Sequence, residues 1–191
     1  MQKQILLVLL LACAACRGGG KSKPASISGT IAGQPVDAQD SASNIYSFDA
    51  DSEALVYIMN VANCCTMLTA SQQPSNAKVI AIQLAIKSPS GISAPTASGT
   101  YPVYTAANIG AASGKVALAR YQTSDATCSA TSDYEASSGS VTLTRVDATS
   151  YAGSFDMTFS DGNGVVTGHV TGSFDANLCD ALGPTIGGTC I

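Results

Sequence analysis

The sequence predicts an all-β domain, a single antiparallel β-sandwich or partly open barrel of about nine or ten strands. In several segments large apolar residues alternate with small or polar ones, a period typical of strands with one buried face. These segments are separated by clusters of Gly, Pro, Asn, Asp and Ser, which favour tight turns. The chain has 191 residues, of which 46% are hydrophobic and only 12% are charged. That composition suits one folded domain and argues against disorder.

The first sixteen residues have the pattern of an export signal. Lys3 precedes the apolar run "ILLVLLLA", and this run is far shorter than the roughly 20 residues of a membrane-spanning helix. The segment then ends in "CAAC", residues 13–16. It resembles a bacterial lipoprotein signal peptide, whose lipobox ends in a cysteine. The resemblance implies cleavage before that cysteine, a diacylglycerol on its thiol and an anchor in the bacterial cell envelope.

Two cysteines compete for the lipid. Cys13 ends "LLAC", with Leu10 where the family has a branched apolar residue, whereas Cys16 leaves a leader of more ordinary length. The lipid attachment site is therefore Cys13 or Cys16, and a cleaved leader without lipid is the remaining alternative. Neither cysteine is followed by Asp, which by the family's sorting rule implies the outer membrane. Residues 17–25 predict a flexible tether rich in Gly, Lys and Ser.

The alternation predicts an all-β domain over residues 26–178. It is clearest in "KVIAIQLAIK", where Ile80, Ile82, Leu84 and Ile86 fall on one face. Four other sets repeat the pattern: Leu55, Tyr57, Met59 and Val61; Val116 and Leu118; Val141 and Leu143; Phe155, Met157 and Phe159. The predicted strands lie near 26–31, 36–39, 44–49, 53–61, 77–87, 100–105, 115–123, 139–147, 150–160 and 164–175. No segment shows a helical stripe, so no helix is predicted.

The last part of this domain predicts a hairpin. Residues 161–164, Asp-Gly-Asn-Gly, tolerate positive φ and lie between two predicted strands. The tetrapeptide Gly-Ser-Phe-Asp occurs on each side of this turn, at 153–156 and 172–175, and the strand before it should complete a meander. Residues 138–179 resemble the C-terminal hairpins of uncharacterised small β-rich bacterial lipoproteins. The resemblance supports an all-β lipoprotein and implies no activity.

Five cysteines in the domain are disulfide candidates, because an exported protein folds in an oxidising compartment. They are Cys64, Cys65, Cys128, Cys179 and Cys190. The neighbours Cys64 and Cys65 should have different partners, or one partner and one free thiol. A bond between Cys179 and Cys190 would close residues 179–191 into a looped tail. Sequence does not fix the connectivity.

The chemistry-bearing residues suggest a binding site more than a catalytic one. His169, the single histidine, is expected to face solvent, and no nucleophile motif accompanies it. Asp49, Asp51 and Glu53 alternate, so a strand would align three carboxylates as a candidate calcium site, with Asp37 and Asp40 as neighbours. The alternative interpretation is a solvated acidic edge. No catalytic residue, other metal site or cofactor is predicted.

Charge restricts the partners. From Pro24 onward the chain has five basic and thirteen acidic residues, a formal charge of −8, which disfavours nucleic acid. We therefore expect a monomeric, lipid-anchored envelope protein with a non-enzymatic binding or structural role and a protein or glycan ligand. The alternatives are a hydrolase that acts on envelope or extracellular polymer through acidic residues, and a calcium-stabilised adhesion module.

Overall fold

The computed structural model describes residues 25–179 and 189–191, and the predicted all-β fold class is confirmed. The expected signal peptide, residues 1–16, together with residues 17–24 and residues 180–188, lies outside the described residues. The strands are β1 (Ser26–Ile31), β2 (Gln34–Pro35), β3 (Asp40–Phe48), β4 (Asp51–Met59), β5 (Gln72–Gln73), β6 (Lys78–Ser88), β7 (Gly91–Ser93), β8 (Gly99–Pro102), β9 (Gly114–Ser124), β10 (Ala130–Val146), β11 (Ser150–Ser160), β12 (Val166–Leu178) and β13 (Thr189–Cys190). The helices are α1 (Cys64–Thr69) and a 3-10 turn at Ile109–Ala111.

Eleven of these strands form one sheet that folds back on itself into a partly closed barrel. Antiparallel pairs run in the order β3-β4-β6-β9-β10-β11-β12. The ring closes where β12 meets β3 in parallel, with Asn177 opposite Ala42 and Leu178 opposite Ser43. Strand β1 pairs antiparallel with an earlier part of β12, and β2 follows it. The sheet is therefore mixed, not purely antiparallel as expected.

Several elements differ from the expected boundaries. Strand β10 begins at Ala130, well before the predicted residue 139, because its first part pairs with β9 and its last part with β8. The strand expected at 36–39 is replaced by the two residues of β2. Helix α1 was not predicted, since six residues are too few to show a helical stripe.

The predicted hairpin is confirmed. The Asp161 carboxylate accepts hydrogen bonds from the backbone N–H groups of Asn163 and Val165, both at 2.9 Å, and Gly164 has φ 79°. The two Gly-Ser-Phe-Asp copies pair with each other: Gly153 lies opposite Phe174, and Phe155 lies opposite Gly172. Each phenylalanine thus lies opposite a glycine, and at Gly172 the missing side chain leaves room for the Phe155 ring.

The interior core lies inside the barrel and receives buried apolar side chains from every strand of the ring except β3. Ile80, Ile82 and Leu84 are at most 1% exposed, as the alternation predicted. The other large members include Val56, Ile58, Tyr101, Tyr121, Val141, Leu143, Tyr151, Phe155, Met157, Phe159, Val170 and Phe174.

A second apolar group, here called the outer cluster, covers the outside of β3, β4 and β6. It contains Leu55, Tyr57 and Met59, together with Cys64 of α1 and Cys179. The alternation predicted that these β4 residues share one apolar face, and they are buried together here, while Ala54, Val56 and Ile58 form a second buried face towards the interior. In β9 the interior face is Ala117, Ala119 and Tyr121, and not the predicted pair Val116 and Leu118.

Two disulfides join the outer segments to the barrel. Cys65 of α1 bonds to Cys179, and Cys128 in the β9–β10 turn bonds to Cys190 of β13. The expected Cys179–Cys190 bond does not form, because each of these cysteines reaches a different part of the sheet. Among the described cysteines Cys64 is a buried free thiol, so of the two alternatives for the adjacent pair the structure has one partner and one free thiol. Within the described ranges, no helix is both long and apolar enough to span a bilayer.

Candidate ligand-binding cleft

A cleft of about 410 Å³ opens at the end of the barrel where β9 ends and β10 begins. The β1–β2 turn and the start of β6 form its other walls. Its apolar surface comes mainly from Ile31, Tyr121 and Tyr134. Its polar surface comes from hydroxyl and amide side chains, namely Gln34, Asn76, Thr123, Ser124, Thr131 and Ser132.

Two tyrosines dominate this cleft. Tyr121 of β9 lies opposite Tyr134 of β10, and their rings stack with centroids 6.4 Å apart. The Tyr121 ring also meets Phe159 edge-on at 6.5 Å, and Tyr121 is only 2% exposed. These contacts fix the Tyr121 ring at the boundary between the interior core and the cleft.

The Tyr121 hydroxyl has no hydrogen bond to another described residue. The hydroxyl oxygen is not fully enclosed by the protein, so it remains accessible from the cleft. Burial raises the pKa of Tyr121, and the neighbouring Asp37 and Tyr134 raise it further. The hydroxyl is therefore protonated at neutral pH and is free to donate a hydrogen bond to a molecule in the cleft.

The rim of the cleft is held by the β9–β10 turn. The Asp125 carboxylate accepts hydrogen bonds from the Thr127 hydroxyl at 2.7 Å, the Thr127 N–H at 2.8 Å and the Ser129 N–H at 3.0 Å. The Thr127 hydroxyl is the main cause of a lowered pKa at Asp125. The adjacent Cys128 is bonded to Cys190, and its carbonyl oxygen accepts from the Gln73 amide at 3.0 Å.

Lys78 is the charged residue of the cleft lining. Its ammonium donates to the Pro35 carbonyl oxygen at 3.1 Å and lies 3.5 Å from the Asp37 carboxylate. The cation is thus offset by a carboxylate just outside the cleft. Asp37, expected as a neighbour of a calcium site, lies here instead.

The three alternating acidic residues are not gathered into a metal site. Asp49 lies in the β3–β4 turn with φ 52°. Asp51 accepts from the Ile92 N–H at 2.7 Å, and Glu53 accepts from the Gln83 amide at 2.9 Å, so both help to hold neighbouring strands. Within residues 25–179 and 189–191, no group of three or more His, Cys, Asp or Glu side chains is placed to hold a metal ion.

Asp40 has a structural role in the outer cluster. Its carboxylate accepts from the Cys64 N–H at 2.9 Å and so binds the first residue of α1. The Cys64 thiol donates to the Met59 sulfur at 3.0 Å. Burial, and secondly Asp40, raise the pKa of Cys64, which keeps the thiol neutral and poorly nucleophilic.

His169 faces solvent as expected, with its side chain 55% exposed. Its Nε2 lies 2.8 Å from the Asp156 carboxylate across the β11–β12 pair. None of the described serine or threonine hydroxyls is hydrogen-bonded to the imidazole, so the pair lacks the third member of a nucleophilic triad.

Two further concave surfaces have a different character. A shallow depression of about 500 Å³ near this pair is lined by Ser140, Thr142, Ser154, Asp156 and Thr171, and it contains one carboxylate. A smaller cavity of about 170 Å³ beside Met59 and Val79 contains none. Neither of these surfaces nor the cleft brings two carboxylates together, which is the arrangement that a carboxylate hydrolase needs.

Comparison with known proteins adds no functional information. No protein-family model, curated protein or solved structure matches this chain. The candidate lipid attachment residues, Cys13 and Cys16, lie outside the described residues.

Sequence reasoning missed the cleft residues, above all Tyr121 and Tyr134. The one signal for them in the sequence is their place in two segments that become neighbouring strands. The start of β10 was not predicted, so Tyr134 was not assigned to any element.

Proposed function

We propose that this protein is a bacterial envelope lipoprotein, anchored in the outer membrane through Cys13 or Cys16, whose monomeric domain binds a ligand without chemical turnover. The observation that carries the binding role is the cleft at the barrel end, where the 2%-exposed Tyr121 presents a hydroxyl with no partner among the described residues. A hydroxyl that opens onto the cleft and has no partner among the described residues is available to hydrogen-bond with a ligand.

The N-terminal sequence supports the anchoring role. Each buried methylene of an acyl chain contributes about 0.8 kcal/mol, so two or three chains hold a protein on a membrane far more firmly than one. Residues 17–25 then connect the anchor to β1.

The size of the cleft supports the binding role. Its volume of about 410 Å³ lies within the range of roughly 300–1,000 Å³ typical of small-molecule sites.

Mass spectrometry of the mature N-terminus, after expression of the full chain in a diderm bacterium, tests the anchor. We expect an N-terminal cysteine that carries diacylglycerol and an acylated amine, in the outer-membrane fraction. Cys13→Ala and Cys16→Ala form a matched pair, of which one should abolish the lipid and the other should leave it. A mature protein without hydrocarbon modification, recovered in the soluble fraction, would refute the proposal.

A further inference from the structure

The charges around the cleft restrict its ligand to an uncharged molecule. Among the described residues the lining contains no carboxylate, which disfavours a metal ion or an organic cation. Its cation, Lys78, is already paired with Asp37, and the domain as a whole is strongly acidic. An anionic ligand would therefore meet a compensated lysine in a repulsive field.

The shape of the cleft argues against an acyl chain. A lipid-binding barrel needs an empty apolar interior, whereas this interior is filled by Tyr121, Phe159 and Ile31, each at most 2% exposed. The ligand must remain in the cleft, in contact with the hydroxyls and amides of its walls. A purely apolar ligand would leave these hydroxyls and amides without hydrogen-bond partners, which is unfavourable.

The tyrosine pair indicates what the ligand should offer. Tyr134 is half-buried at the cleft, and a tyrosine ring provides an apolar face with a polar hydroxyl at its tip. Gln34 and Asn76 also line the cleft, and their side-chain amides can both donate and accept hydrogen bonds. A ring molecule with an apolar C–H face and hydroxyl groups along its edge matches both the tyrosine ring and the side-chain amides.

We propose that the cleft binds a neutral saccharide, with one pyranose ring packed on Tyr134 and its edge hydroxyls bonded to the Tyr121 hydroxyl and to the amides of Gln34 and Asn76. This inference rests on the proposed binding role of the domain and names its ligand class. Tyr121 and the amides set the hydrogen-bonding pattern, whereas Tyr134 supplies the contact area.

An NMR titration of the ¹⁵N-labelled domain, residues 17–191 with both disulfides intact, tests the ligand class. The probes are glucose, galactose, N-acetylglucosamine and maltose, each to about 50 mM, with glucuronate as the charged counterpart of glucose. We expect a neutral sugar to shift the backbone amide resonances of Gln34, Asn76, Tyr121 and Tyr134 in a saturable manner. We expect glucuronate to bind several-fold more weakly than glucose.

Two tyrosine variants give the matched comparison. Tyr121→Phe removes the cleft hydroxyl and keeps the ring, and it should weaken the saccharide by about 2- to 10-fold, the value of one neutral hydrogen bond. Tyr151→Phe is the control, because Tyr151 is a similarly buried residue whose hydroxyl donates to the Pro95 carbonyl oxygen, outside the cleft. It should leave the affinity unchanged. An equal loss in both variants would overturn the assignment of Tyr121.

The outcomes separate this inference from the proposed function. If no neutral sugar shifts the cleft amides, or if glucuronate binds as well as glucose, the saccharide inference is wrong. A second set of probes, a small aromatic alcohol and a neutral tripeptide, then tests the cleft itself. Saturable shifts with these would preserve the binding role, and their absence would remove both. The lipid anchor is measured independently by the mass of the N-terminus.

Discussion

The interior core and the outer cluster use the same kinds of side chain but are held in different ways. The interior core is enclosed by the ring of strands, and its members form one buried cluster. The outer cluster lies on one face of three strands, under a six-residue helix and the segment at Cys179. A helix this short is not stable by itself in water. We therefore expect sheet closure to stabilise the first region, whereas the second should depend on the Cys65–Cys179 bond and on the Asp40 carboxylate.

The largest test of this difference removes the Cys65–Cys179 disulfide by Cys65→Ala with Cys179→Ala. The bond spans 114 residues, and its loss should reduce the free energy of unfolding by about 2–5 kcal/mol. Because α1 is attached to the barrel there, hydrogen exchange at Met67 should rise towards that of an open chain while exchange at Ile82 stays slow.

The matched control is Cys128→Ala with Cys190→Ala, a bond that spans 62 residues. It should cost a similar amount but release β5 and β13 in place of α1. If Met67 remains as protected as Ile82 when Cys65 and Cys179 are replaced, the outer cluster does not depend on its disulfide.

A smaller effect is expected from crowding the interior core with Gly172→Ala. The new methyl group would overlap the Phe155 ring and the Ser26 carbonyl oxygen, which should cost about 1–3 kcal/mol in urea denaturation. Gly162→Ala is the control, since nothing lies within 4 Å of its added methyl, and it should change stability by less than about 0.5 kcal/mol. Equal stability of the two variants would show that the interior is not closely packed there.

The buried thiol of the outer cluster predicts a pH effect. Burial raises the pKa of Cys64 above its ordinary value of 9.0, so the folded state keeps a proton that the unfolded state loses. The stabilisation is complete below pH 9 and is lost as pH rises, with a slope of up to about 1.4 kcal/mol per pH unit. Tyr57, whose pKa is raised to about 12 from 10.0, contributes only above pH 10.

Urea midpoints at pH 8, 9 and 10 measure this slope, with the disulfides checked by mass spectrometry. The Cys64→Ala variant should lose the decline between pH 9 and pH 10. The same decline in both proteins would assign it to another group.

The smallest expected effect concerns calcium, for which Asp49, Asp51 and Glu53 were the candidate ligands. Asp51 and Glu53 already accept hydrogen bonds from Ile92 and Gln83, so a metal would have to displace these contacts. Thermal melting with and without 5 mM calcium should therefore give the same Tm. A Tm that rises with calcium concentration would restore the calcium-site hypothesis.

The fold class was predictable because period-two alternation depends only on neighbouring residues. Ile80, Ile82 and Leu84 identified the interior correctly, as did Phe155, Met157 and Phe159. In β4 the same rule identified the residues of the outer cluster, and in β9 it selected Val116, which is larger than the alanine beside it. That alanine faces inward, where bulky residues of the opposite wall fill the space. A second covered face therefore makes the local pattern ambiguous.

Features that join distant segments were not predictable from local pattern. The disulfide partners depend on where α1 and β13 lie against the sheet, and no spacing between cysteines encodes that. The cleft combines Ile31, Lys78, Tyr121 and Tyr134 from four strands, and it lies where the start of β10 pairs with β9 but not yet with β11. The hydroxyl of Tyr121 became a candidate only when its lack of a partner was visible in three dimensions.

Strand β1 separates the proposed attachment point from the cleft. It starts at Ser26, directly after the proposed tether, and ends at Ile31 in the cleft wall. Six residues of strand span about 20 Å, and their pairing with β12 makes this spacer rigid. In the proposed lipoprotein, the bilayer therefore restrains one end of the barrel, and a solute that diffuses in from the aqueous side meets the other.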